Sequence, residues 1–78
     1  MRLKILKFGA EWCAPCRRLD QMDFPWICVD ADIDTGSLRL HRVTCLPTLI
    51  FLKDEQEVAR LTGSQTERSI RQIIEIYL

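Results

Sequence analysis

Trp12-Cys13-Ala14-Pro15-Cys16 sits between an apolar run, Leu3-Lys4-Ile5-Leu6-Lys7-Phe8, and a helix-like segment, Arg17 to Met22. A strand that feeds a helix through Cys-x-x-Cys places one thiol at the helix start and the other one turn deeper. Gly9 and Ala10 end the strand. Pro15 suits a first helical turn, where its missing N–H costs nothing. Cys13 then meets unpaired backbone N–H groups and the positive end of the helix dipole, both of which favour a thiolate. Arg17 and Arg18 add positive charge nearby. In this reading Cys13 forms a mixed disulfide with a substrate, and Cys16, better shielded, attacks it and releases reduced product. Leu19 and Met22 face the core, and Phe24-Pro25 ends the helix.

Outward from that stretch the pattern is regular. Trp26-Ile27-Cys28-Val29 is short and apolar and reads as a strand buried on both faces, with Cys28 a small buried hydrophobe. Asp34 or Thr35 caps a short helix over residues 36–42, with Leu38 as its main apolar contact. Leu46 to Leu52 is a second strong strand. Lys53-Asp54-Glu55-Gln56 is a polar turn, and Glu57 to Leu61 returns as a hairpin arm. Thr62-Gly63 stops it. Ser64 with Glu67 makes a capping-box pattern. Ile70, Ile73, Ile74 and Tyr77 then fall on one helical face. The expected fold is α/β, in the order β-α-β-α-β-β-α, as one domain over residues 1–78.

Composition narrows the function. The chain has 78 residues, 47% hydrophobic and 28% charged, with a formal net charge of zero. That balance is ordinary for a soluble globule and gives no electrostatic case for nucleic acid or an anionic membrane. Arg2, Lys4 and Lys7 interrupt the first apolar run, so it reads neither as a secretory leader nor as a membrane span. The expected compartment is the cytoplasm. In a reducing compartment four cysteines point to catalysis, metal binding or inert thiols. Cys-x-x-Cys is also half of a zinc site, whose other half would come from Cys28, Cys45 or His41. That leaves a metal-binding or electron-carrier module as the alternative. Asp30, Asp32 and Asp34 lack a calcium-loop pattern and read as solvated or capping residues.

Ala10-Glu11-Trp12-Cys13-Ala14-Pro15-Cys16 resembles the active-site segment of the thioredoxin family, where glycine more often stands in the place of Ala14. Val43-Thr44-Cys45-Leu46-Pro47-Thr48 is similar to the family's cis-proline segment, and Gly63 falls where the family has a glycine before its last helix. The resemblance covers nearly the whole chain. It implies a minimal thioredoxin fold with a four-stranded mixed sheet, close in plan to glutaredoxins. It implies a protein-disulfide reductase with Cys13 as nucleophile and Cys16 as resolving thiol. It further implies a substrate groove from Trp12, Ala14, Pro15, Cys45, Leu46 and Pro47, in which a cis Leu46–Pro47 bond frees backbone groups for an extended substrate strand. No cofactor is expected. The partners implied are disulfide-containing proteins, with a thioredoxin reductase or glutathione as electron donor, and a monomeric state.

Three departures stand out. The family's usual first strand and helix are absent, and the helix after the dithiol is two to three turns shorter. Lys7 stands where the family carries a buried aspartate that handles the proton of the resolving thiol. It either tunes the dithiol from the core face or snorkels from the strand end into water. Cys28 replaces a lysine that often partners that aspartate. Cys45 reads either as a plain free thiol or as a regulatory one.

Overall fold

A computed structural model describes residues 3–78, with Arg2 outside them. The elements run β1 Leu3–Gly9, α1 Ala14–Asp20, β2 Trp26–Asp30, α2 Thr35–Leu40, β3 Thr48–Lys53, β4 Gln56–Thr62 and α3 Glu67–Tyr77. This is the expected β-α-β-α-β-β-α order. The strands form one mixed sheet in the order β2-β1-β3-β4. β1 pairs parallel with β2 and antiparallel with β3, and β3 pairs antiparallel with β4.

Strand parity sets two unequal layers. Leu3 and Ile5 share a face with Leu49 and Phe51, because Ile5 lies opposite Phe51 and Lys7 opposite Leu49. Leu19 of α1 and Ile70 of α3 close over that face to make the main core. Ile73, Ile74 and Tyr77 pack against it, as the helical spacing predicts. On the opposite face Phe8 and Ile50 are fully buried. Their cover is thinner: His41, which caps the C-terminus of α2, meets the Phe8 ring edge-on at 5.7 Å. Arg60 of β4 reaches across to the same corner, donating to the backbone oxygens of His41 at 2.6 Å and Arg42 at 3.3 Å. Glu57 holds the guanidinium from the other side. No residue of α2 itself is buried.

Three local expectations need correction. β2 is not buried on both faces. It is the sheet's edge, Ile27 and Cys28 are exposed, and only Trp26 and Val29 are half-buried. The reason is topological: α1 stops at Asp20 and covers β1 rather than the strand beyond it. β3 begins at Thr48 rather than Leu46; the Leu46–Pro47 bond before it is cis, and Pro47 has no N–H to give a strand partner. The cap of α3 is Thr66 rather than Ser64. The Thr66 hydroxyl accepts from the Ser69 N–H at 3.1 Å. Gly63, at φ 78, turns the chain there in a region costly for other residues. The Gln65 amide donates back to the Thr62 carbonyl. The turn is therefore complete only at Thr66. Thr66→Ala is expected to lower unfolding free energy by about 1 kcal/mol, while Ser64→Ala leaves it within error in the same urea titration.

Candidate active site

α1 starts on Cys13. Its backbone is still extended there, and its Sγ accepts the N–H of Cys16 at 3.3 Å. Ala14 and Pro15 occupy the first turn, as the missing proline N–H allows. The Cys13 N–H donates to the Ala10 carbonyl at 3.1 Å, which fixes the turn from β1. Gly9 makes the close approach possible. A Cβ at that position would lie 3.1 Å from the Cys16 Cβ and 3.3 Å from its Sγ. The helix thus sets Cys16 directly over the end of β1. Cys13 and Cys16 are joined as a disulfide with their Cα atoms 5.3 Å apart.

Both sulfurs are shielded. Cys13 is 6% exposed and Cys16 3%. They pack with Ala10, and Leu46 leans against that cluster. Pro47 is buried beside the N-terminus of β3, and Cys45 is exposed. The Thr48 hydroxyl donates to the Cys45 carbonyl at 2.7 Å, and the Gly63 N–H to the Pro47 carbonyl at 2.8 Å. These bonds narrow what the segment can offer an incoming strand to the Cys45–Leu46 N–H groups and the spare carbonyl lone pairs. Trp12 is 70% exposed. Its indole N–H donates to the Asp32 carboxylate at 3.0 Å. Asp32 thus has a partner that its alternation with Asp30 and Asp34 does not disclose. Asp34 does cap α2: its carboxylate accepts from the Ser37 N–H and hydroxyl, which lowers its pKa from the ordinary value.

Lys7 does not snorkel. Its side chain is 6% exposed and forms an ion pair with Asp20, the last residue of α1, whose side chain is 52% exposed. Its ammonium also lies 5.6 Å from the centre of the Trp26 ring. The Trp26 indole is itself held by the Met22 carbonyl. Lys7, Asp20, Cys16 and Cys28 line one cleft of about 550 Å³ on the β2 side of the dithiol. Asp20 is the residue of this neighbourhood that the sequence reading passed over. Among the described residues no group of three or more histidine, cysteine, aspartate or glutamate side chains is placed to hold a metal ion.

The comparisons with known proteins agree with this geometry. The thioredoxin family model matches residues 1–76. The chain is 31% identical to thioredoxin of Chlamydia pneumoniae over 81 aligned positions, covering 92% of this chain and 79% of that protein. Among solved structures, thioredoxin of Fasciola hepatica superimposes with a TM-score of 0.84 at 30% identity, covering 99% of this chain and 82% of that one. The N21Q mutant thioredoxin of Halobacterium salinarum gives a TM-score of 0.88 at 27% identity, covering 97% of this chain and 74% of that one. These relatives and the paired cysteines favour disulfide exchange over the metal-carrier alternative. The chain belongs to the thioredoxin family, and its Cys13–Cys16 pair makes it a thiol-disulfide oxidoreductase acting on proteins.

Proposed function

We propose that this protein reduces protein disulfides with Cys13 as the attacking thiol and Cys16 as the resolving thiol. The observation that carries the assignment is the Cys16 N–H pointing at the Cys13 sulfur. That donor stabilises negative charge on the Cys13 sulfur once the pair is reduced, which favours the first thiol as the nucleophile. The Cys13 thiolate attacks a substrate disulfide, forming the mixed disulfide and releasing one substrate thiol. Cys16 then attacks the Cys13 sulfur, the intramolecular disulfide forms, and the second substrate thiol leaves. The substrate two-electron reduction equals the protein two-electron oxidation.

The substrate surface in this proposal is Trp12, Ala14, Pro15, Cys45, Leu46 and Pro47. Leu46 against the dithiol and the remaining backbone groups of Cys45 and Leu46 suit an extended segment laid across the sulfurs. A thioredoxin reductase or glutathione restores the dithiol. The whole chain works as a single domain and a monomer, in the cytoplasm, as a contributor to electron transport and cell redox homeostasis. No helix among the described residues is long and apolar enough to cross a membrane.

Cys16→Ser tests the order of the two thiols. Given a protein disulfide, this variant accumulates a covalent one-to-one adduct through Cys13, visible by intact mass and released by dithiothreitol. Absence of any adduct in a folded variant would overturn the assignment.

A further inference from the structure

The resolving step leaves a proton to be placed. Cys16 is buried, burial in apolar surroundings disfavours a thiolate, and only the thiolate attacks at a useful rate. The family's aspartate for this proton is absent, because Lys7 occupies its position in β1. The structure supplies a carboxylate from the other side. Asp20 follows Cys16 by four residues on α1, so the two side chains stand one turn apart on the same helix face. Both line the cleft of about 550 Å³, which has room for several waters. Lys7, buried in the sheet, grips the Asp20 carboxylate and fixes where it points.

We propose that Asp20 accepts the proton of Cys16 through water in this cleft, and that Lys7 is its positioning residue. The proposal rests on Cys16 being the resolving thiol. The Cys16 S–H bond breaks and its proton passes to the Asp20 carboxylate. The Cys16 sulfur forms its bond to Cys13 while the Cys13–substrate bond breaks. The substrate thiolate takes a proton from solvent, and the half-exposed Asp20 returns its own to solvent, so charge and protons balance. Lys7 is tied to Asp20 by their ion pair and acts through it. The other charged groups lining the cleft with Asp20 are Arg17 on α1, Glu11 in the preceding loop, and Asp30 on β2, and the Cys28 thiol lines it too. Asp30 is placed on β2 rather than on the helix that carries Cys16, and one of its carboxylate oxygens accepts the Asp32 N–H at 2.9 Å.

The two chemical steps can be read separately in one stopped-flow trace. Reduced protein carrying Cys28→Ser and Cys45→Ser is mixed with 5,5′-dithiobis(2-nitrobenzoate). The first release of thionitrobenzoate reports attack by Cys13, and the second, concentration-independent release reports resolution by Cys16. Asp20→Asn is expected to leave the first phase unchanged and to slow the second on the order of 100-fold. Its second phase then rises steeply with pH, following the free thiolate of Cys16, while the parent's is flatter. Lys7→Met slows the second phase less, and Asp20→Glu restores most of it. Asp20→Asn leaves Lys7 buried without its partner. The pair Lys7→Met with Asp20→Leu leaves neither charge alone, and it decides the matter if the single variant melts. A folded double variant that resolves at the parent rate, with the parent pH profile, overturns the proposal. The Cys16→Ser control keeps the two ideas apart. If it still shows the second phase, the resolving role of Cys16 fails. If it loses that phase while the Asp20 variants keep it, only the role of Asp20 fails.

Discussion

Cys13→Ser is expected to abolish turnover of protein disulfides, by roughly three orders of magnitude or more in a dithiothreitol-coupled reduction assay. The size of the loss follows from what the serine hydroxyl lacks. The reacting species is an anion, and a hydroxyl holds its proton far more tightly than a thiol does. The substitution is nearly isosteric, and the Cys16 N–H can still donate to a serine oxygen at the start of α1, where serine is a favoured cap. The helix therefore survives, and the loss reads as chemistry rather than unfolding. Thermal melts of the two proteins in their reduced forms should be close. Turnover within a few-fold of the parent in a folded Cys13→Ser protein would remove Cys13 from the mechanism.

Phe51→Ala should be the most damaging single change to stability. Phe51 is fully buried in the central strand β3, opposite Ile5 on one neighbour and Ala59 on the other. It sits in the core cluster between Leu19 of α1 and Ile70 of α3. Truncating a buried phenylalanine costs about 3–5 kcal/mol, from lost transfer free energy and the cavity left behind. A chain of this length is held by roughly 4–12 kcal/mol in total. The variant is thus expected to lose about a quarter or more of its stability, and to be partly unfolded at 37 °C if the total lies at the lower end. Urea titration followed by far-ultraviolet circular dichroism measures it. An unchanged midpoint would mean that the two helices do not close on this residue.

The elements that announce themselves locally were the legible ones. β1 and β3 are dense in apolar residues, α3 repeats its isoleucines at helical spacing, and the dithiol carries its own turn in Ala14-Pro15. Pro47 is recognisable only beside Cys45 and Thr48, and its segment does lie beside the dithiol, with Leu46 against it. What escaped the sequence depends on distant partners. Trp26-Ile27-Cys28-Val29 has the composition of an interior strand, yet whether a strand is interior is decided by the neighbours it receives. Here α1 is too short to cover it. Ser64 with Glu67 reads as the cap of α3, but the Gly63 turn runs on past it and Thr66 takes that place. Lys7 was legible as a charge on the core side of β1. Which acid would meet it was not, because Asp20 lies in the following helix and only α1 packing against β1 brings them together. The spacing of Cys16 and Asp20 was the clue available.

The uneven covering of the sheet divides the molecule by ease of local opening. One side of the dithiol is clamped by Gly9, the ion pair of Lys7 with Asp20, and the main core. The other leads through Asp32 into α2, which buries none of its own residues and whose C-terminal end is held by the Arg60 fork and the Phe8–His41 contact. Segments with few buried contacts open at a small fraction of the global free energy. The indole of Trp12 is tied to Asp32, at the start of the segment that leads into α2, so this exposed ring is anchored to the lightly held side of the molecule rather than to the main core. The paired cysteines thus sit on the firmly packed side of a boundary whose other side, by its sparse burial, opens more readily.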